Sequence, residues 1–262
     1  MPLMQNIISE VPSHLTKVLY FPRHNEEVSH FPIYEISEQY FDKIGKLPMG
    51  SRDYKVELCL LRKPNGEFLG DNARFLVDVG DDSTSMSVRE RILGQDPVEA
   101  RVLLPNSQET EYSIHTDTST TSAHSSGHLV FPLPEKQTKR QLVRYPYFAI
   151  TSTIFGDKDA NDSRYEWQVH PNEKGPLRYE LVDVGEKHSG EVDSSILAIY
   201  HHHGFENELP VSYSHGVLLL PSTSTSEFEI AVVSSLLAVL SAVRQQPTSR
   251  KQSRIRSLMA CL

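Results

Sequence analysis

The stretch FEIAVVSSLLAVLSAVRQQ, Phe228 to Gln246, decides how the rest of the chain is read. From Ile230 to Val243 it holds no charged residue, in a chain otherwise made of short β-like runs. Ser226 followed three residues later by Glu229 is a capping-box pattern, in which each side chain satisfies an exposed backbone N–H of the other residue. It predicts a helix starting near Glu227 and ending before Pro247, because proline disfavours helical geometry in the residue ahead of it. At about 100° per residue, Ala231, Ser234, Ser235, Ala238, Ser241 and Ala242 gather on one face, and Val232, Val233, Leu236, Leu237, Val239, Leu240 and Val243 cover the rest. No side suits water. The uncharged run covers about 21 Å, short of the roughly 30 Å hydrocarbon core of a bilayer. Burying each large aliphatic side chain is worth about 1.5 to 3 kcal/mol before entropy is subtracted, so the helix must be enclosed. The expectation is a core helix, with Ile230, Val233, Leu236, Leu237 and Leu240 as its central contacts. A membrane-associated helix, whose small face suits small-xxx-small pairing, and a dimer seam are the alternatives.

The whole chain sets the bounds. Its 262 residues, 38% of them apolar, can bury a substantial core, read here as one domain. Lys plus Arg number 26 against 34 Asp plus Glu, a net charge of −8, which opposes general nucleic-acid binding. Two cysteines, Cys59 and Cys261, give no disulfide framework and fit a reducing, cytoplasmic setting. The N-terminal MPLMQNIISEVPSH lacks the basic flank and apolar run of a secretory signal, and Cys261 is misplaced for prenylation. Residues 1–14 are read as an extension, 15–246 as the domain and 247–262 as a disordered basic tail.

Strand candidates are KVLYFP from Lys17, YKVELCLL from Tyr54, ARFLVDV from Ala73, ARVLLP from Ala100 and LVFPLP from Leu129, bounded by Pro, Gly, Asn and Asp. Asn65-Gly66 predicts a tight hairpin turn after YKVELCLL. The stretch from Tyr165 to Val184 predicts a second hairpin, and SSILAIYHHHG and GVLLLP two further strands. SIHTDTSTTSAHSSGH, residues 113–128, is so rich in Ser and Thr that it reads as a flexible loop within the domain.

This order of short strands, a Trp-bearing hairpin (YEWQVHP, then GPLRYELVDV), ILAIYHHH, GVLLLP and a terminal uncharged helix resembles the tubby C-terminal-like superfamily. That superfamily includes tubby proteins, LURP-one-related proteins, phospholipid scramblases and uncharacterised fungal relatives. The resemblance spans Tyr145 to Gln246 and, by strand density, the N-terminal half. It implies an antiparallel β barrel around Phe228 to Val243, with Trp167 in a strand before the final hairpins. A β sandwich or jelly roll is the alternative. Tubby proteins bind phosphoinositide head groups through surface Lys and Arg, so the resemblance also implies association with membrane phospholipid.

Several constellations could carry chemistry. His201, His203, Glu208 and His215 form H-x-H-x4-E with a later histidine, similar to part of the cupin metal motif; imidazole plus carboxylate on a β scaffold suits a divalent transition metal. The cupin glycine and the trailing Pro-Gly-His element are missing. A strand end with ordinary histidines is the structural reading of the same residues. His124-x3-His128 sits in the expected loop, DVGDD lacks the ligand spacing of an EF-hand, and Tyr165, Trp167 and Tyr179 suit cross-strand packing. Arg250, Lys251, Arg254 and Arg256 in the tail could touch anionic lipid. Phosphate-loop, dinucleotide, nucleophile-elbow and zincin motifs are absent from the sequence. The expected function is therefore a non-catalytic binding or adaptor module without a cofactor, transmembrane segment or nucleic-acid partner, meeting phospholipid or protein and peripheral at membranes. The rival is a cupin-like metal-dependent or His-based accessory enzyme of a metabolic pathway, such as one making fungal secondary metabolites.

Overall fold

The computed structural model describes residues 11–25, 27–47, 51–61, 73–80, 84–91, 98–104, 111–117, 122–130, 147–150, 155, 165–170, 178–183, 196–202 and 214–245. It is mainly antiparallel β sheet packed on a buried C-terminal helix. The strands are β1 (Leu15–His24), β2 (His30–Glu35), β3 (Ala73–Val79), β4 (Ser85–Glu90), β5 (Glu99–Leu103), β6 (Glu111–Asp117), β7 (Ser122–Val130), β8 (Tyr147–Ile150), β9 (Tyr165–His170), β10 (Arg178–Asp183), β11 (Ile196–His202) and β12 (Ser214–Pro221). Each consecutive pair is antiparallel, and β1 also pairs antiparallel with β12 through Val18–Leu219, Leu19–Leu218 and Tyr20–Val217. An even number of alternating strands brings first and last together in opposite directions, so the ladder returns to its start as a closed barrel. One continuous up-and-down ladder replaces the two facing layers of a sandwich or jelly roll.

The helix, α3 (Ser226–Gln245), fills the interior. Its side chains from Ile230 to Ala242 are at most 1% exposed where apolar, including Val233, Leu236, Leu237 and Leu240. Inward residues of the strands meet it: Leu19 and Phe21, Phe31 and Ile33, Phe75 and Val77 alternate with outward neighbours, the two-residue period of a strand with one buried face. α3 lies closest to β4, β5 and β6. Its small face accepts bulk from the other wall, where the Trp167 indole N–H donates to Ser235 Oγ at 3.0 Å. By length and composition Ser226–Arg244 could cross a membrane, which corrects the expectation from the uncharged run alone; 83% of that window is instead buried inside the fold.

Three local readings are corrected. YKVELCLL is a helix, α2 (Arg52–Leu60), and not a strand. Ser51 Oγ caps it by accepting from the Tyr54 N–H at 3.1 Å, and Tyr54, Leu58 and Leu61, at i, i+4 and i+7, are the buried residues. A short apolar run cannot by itself separate helix from strand. The Asn65-Gly66 turn lies outside the described residues. The Ser/Thr stretch at 113–128 is largely β6 and β7, paired in register from Glu111–His128 to Asp117–Ser122, so His124 and His128 sit on a strand and not in a loop. Ladder hydrogen bonds are backbone bonds, and Tyr112, Ile114 and Thr116 supply the buried alternation that the polar residues between them hide. Finally, the cap of α3 is Thr225, whose Oγ1 accepts from the Phe228 N–H at 3.3 Å; Ser226 and Glu229 are turned to other partners.

A second layer covers part of the outside. After β2 the chain makes α1 (Ser37–Gln39), a π turn (Tyr40–Ile44) and α2, which bury Tyr40, Ile44, Tyr54 and Leu58 against the outward residues Val18, Tyr20, Ile199, Val217 and Leu219. The Tyr40 and Tyr54 hydroxyls, 3.0 Å apart, satisfy each other beneath it.

Candidate functional site

The two ends of α3 are polar in different ways. At its start, Glu229 and Glu90 have fully buried carboxylates that meet Lys17 of β1 and Arg74 of β3. Lys17 Nζ is 2.5 Å from Glu229 Oε1, and Arg74 Nη2 is 2.5 Å from Glu90 Oε1 and 3.3 Å from Glu229 Oε2. Ser224 donates to Glu229 at 2.8 Å and Ser226 to Glu90 at 2.9 Å. Two carboxylates and two cations balance in charge and two hydroxyls bond them, with Glu90 Oε2 buried and without a hydrogen-bond partner among the described residues. Glu229 also lies in the first turn, where the helix dipole favours negative charge. This end latches the helix to the wall and has a structural role.

At the other end the inward residues form a set of hydroxyls, imidazoles and one guanidinium. Arg244, in the last turn of α3, donates through Nη1 to Ser214 Oγ of β12. Its charge reaches His24 on β1, Tyr112 on β6, Tyr179 on β10, and Tyr200 and His202 on β11, lowering the proton affinity of each. The Tyr179 and Tyr200 ring centroids are 5.8 Å apart. Tyr200 lies across Gly216, where a Cβ would come within 2.6 Å of Tyr200 Cζ and 2.1 Å of the His201 carbonyl oxygen, so only glycine fits. His24 stacks on Phe31 with centroids 4.2 Å apart, and its Nδ1–H donates to the Pro22 carbonyl at 2.9 Å. A carbonyl can only accept, so Nδ1 carries the proton and Nε2 presents a lone pair.

The Tyr179 and Tyr200 hydroxyls and His24 Nε2 are buried and make no hydrogen bond among the described residues. Leaving a buried polar atom unmatched costs about 1 to 3 kcal/mol, and these three share the reach of the Arg244 charge, which makes this end the candidate site. Burial, with Arg244 adding to it, holds the His24 imidazole at about 3, and burial, then His215 and Arg244, hold His202 at about 3. Both rings are neutral at physiological pH. Burial above all raises the tyrosines, which keep their protons.

The sequence-predicted metal set is placed only in part. His201, 97% buried on β11, is also lowered to about 3, first by burial and then by Arg178, its partner across β10. His215, on β12, has Nε2 2.7 Å from the Tyr20 hydroxyl. His203 and Glu208 lie outside the described residues, as do Arg250, Lys251, Arg254 and Arg256. Among the described residues no three His, Cys, Asp or Glu side chains are grouped to hold a metal. Tyr165 and Trp167 are core residues, and so is Tyr179, but its hydroxyl belongs to the polar end. Outside the sheet a hollow of about 320 Å³ between β3, β4 and β5 is rimmed by Asp78, Ser87, Glu99 and Arg101. Its groups largely satisfy one another: His30 and Arg89 bond Asp78, and Ser87 donates to Glu99.

Sequence reasoning missed His24, Tyr200, Ser214 and Arg244 as a group. Arg244 was visible as the charge that ends the uncharged run, but its companions come from three strands, β1, β11 and β12, and are joined only by register. No protein-family model matches the chain, and no curated protein sequence or solved structure matches it either.

Proposed function

We propose that the chain is a non-catalytic binding module of tubby-like type that works peripherally at phospholipid membranes from the cytoplasmic side. The enclosure of α3 carries this reading. Among the described residues the interior is occupied by an apolar helix, so recognition falls to the ends and the outer face of the sheet. A ring of antiparallel strands around a C-terminal apolar helix is also what resemblance to the tubby C-terminal-like superfamily implies. The direction of α3 puts Arg244 at one end, and in sequence the basic run Arg250, Lys251, Arg254 and Arg256 follows Gln245. Each such cation contributes about 1 kcal/mol near an anionic bilayer, which offsets the acidic balance of the remainder.

Co-sedimentation with phosphoinositide-containing vesicles tests it. The full chain pellets with these vesicles and not with neutral ones, pelleting falls as salt rises, and a chain ending at Gln246 pellets less. If neither form pellets at low salt, the membrane reading fails.

A further inference from the structure

We propose that the polar end of α3 is a binding site for a singly protonated phosphate group, held by Tyr179, Tyr200, His24 and Arg244. The inference rests on the binding role above and names the chemistry that this end would recognise. Tyr179 and Tyr200 offer two hydroxyl donors, fully buried and with no hydrogen-bond partner among the described residues. Arg244 supplies the positive charge that reaches both of them and His24. His24 fixes the protonation of the ligand: its Nδ1–H is committed to the Pro22 carbonyl, so the inward Nε2 needs a hydrogen from whatever it meets. A carboxylate accepts but cannot donate, and sulfate is fully ionised near neutral pH. A phosphate monoester, whose second ionisation falls near pH 6, presents charged oxygens to the donors and one P–O–H to His24.

The source can be free phosphate or a phosphomonoester head group, and the test separates them. Titration calorimetry on the full chain at about pH 6.5 uses inorganic phosphate and glycerophosphate, with sulfate and acetate as controls. A second arm uses vesicles of phosphatidylcholine doped with phosphatidic acid, a phosphomonoester, or with phosphatidylserine, a diester. The expected result is saturable one-site binding of phosphate, about tenfold tighter than sulfate or acetate, and a loss of about tenfold or more in the Tyr179→Phe/Tyr200→Phe double variant. The two hydroxyls make no hydrogen bonds among the described residues, so this variant melts no lower than the parent without ligand. Binding of the soluble phosphates without preference for phosphatidic acid assigns the site to free phosphate, and the inference stands even if the membrane reading has failed. Preference for phosphatidic acid over phosphatidylserine, lost in the double variant, assigns it to a head group. Absence of saturable phosphate and phosphatidic acid binding, or equal binding by parent and double variant, overturns it.

Discussion

Lowering the pH from 7 to 5 should remove about 5 to 6 kcal/mol of folding stability through three buried histidines. His24, His201 and His202 each take up a proton at about 3 in the folded chain, against about 6.5 when unfolded. Between those values the unfolded chain binds more protons than the folded one, so stability rises with pH and is lost as pH falls. The contribution is fully present above about pH 6.5, and its loss ends near pH 3, where the folded rings protonate too. At pH 5 each neutral ring costs about 2 kcal/mol, and three cost about 6 kcal/mol, comparable to the whole stability of an ordinary domain. This magnitude depends little on the folded value so long as that value lies well below 5. The assay is urea unfolding at fixed temperature from pH 8 to pH 5, with stability plotted against pH. Below about pH 6 the slope approaches three protons, roughly 4 kcal/mol per pH unit, and His201→Leu reduces it by one proton. A curve flat from pH 7 to pH 5, or a slope unchanged in His201→Leu, would refute the reasoning that these rings are sealed in neutral form.

Two substitutions probe the ends of the helix. Glu229→Ala leaves Lys17 and Arg74 facing a space without their shared carboxylate and should lower stability by about 3 to 5 kcal/mol in urea unfolding, whereas the exposed Glu227→Ala should change it by about 0.5 kcal/mol or less. Gly216→Ala drives a methyl into the Tyr200 ring and the His201 carbonyl, and should cost about 1 to 3 kcal/mol; a melting curve equal to that of the parent would show that Tyr200 does not lie across β12.

What could be read from the sequence follows from how local each signal is. The enclosed helix was legible because Phe228–Val243 is apolar on every side, a property that needs no knowledge of its neighbours. The β9–β10 hairpin was legible because Tyr165, Trp167 and Val169 alternate with polar residues, and the structure pairs Trp167 with Leu181. α2 was misread because VELCLL is apolar in sequence while only Tyr54, Leu58 and Leu61 are buried; Val56 and Leu60 are 48% and 60% exposed. β6 and β7 were misread because Ser and Thr suppress a hydrophobic signal without preventing backbone pairing. The polar end was invisible for a different reason. His24, Tyr179, Tyr200, Ser214 and Arg244 are spread over some 220 positions and meet only because closure of the ladder brings β1 beside β12. The two-residue period of a strand also places His201 and His202 on opposite faces, and β11 alternates in that way, with Ile199 outward and Tyr200 inward.

Amide hydrogen exchange along α3 tests the enclosure most directly. With the helix inside the sheet, the amides from Val232 to Leu240 exchange only through global unfolding, with a free energy equal to that measured in urea. Fast exchange of those amides while the strands remain protected would place the helix outside and contradict the account.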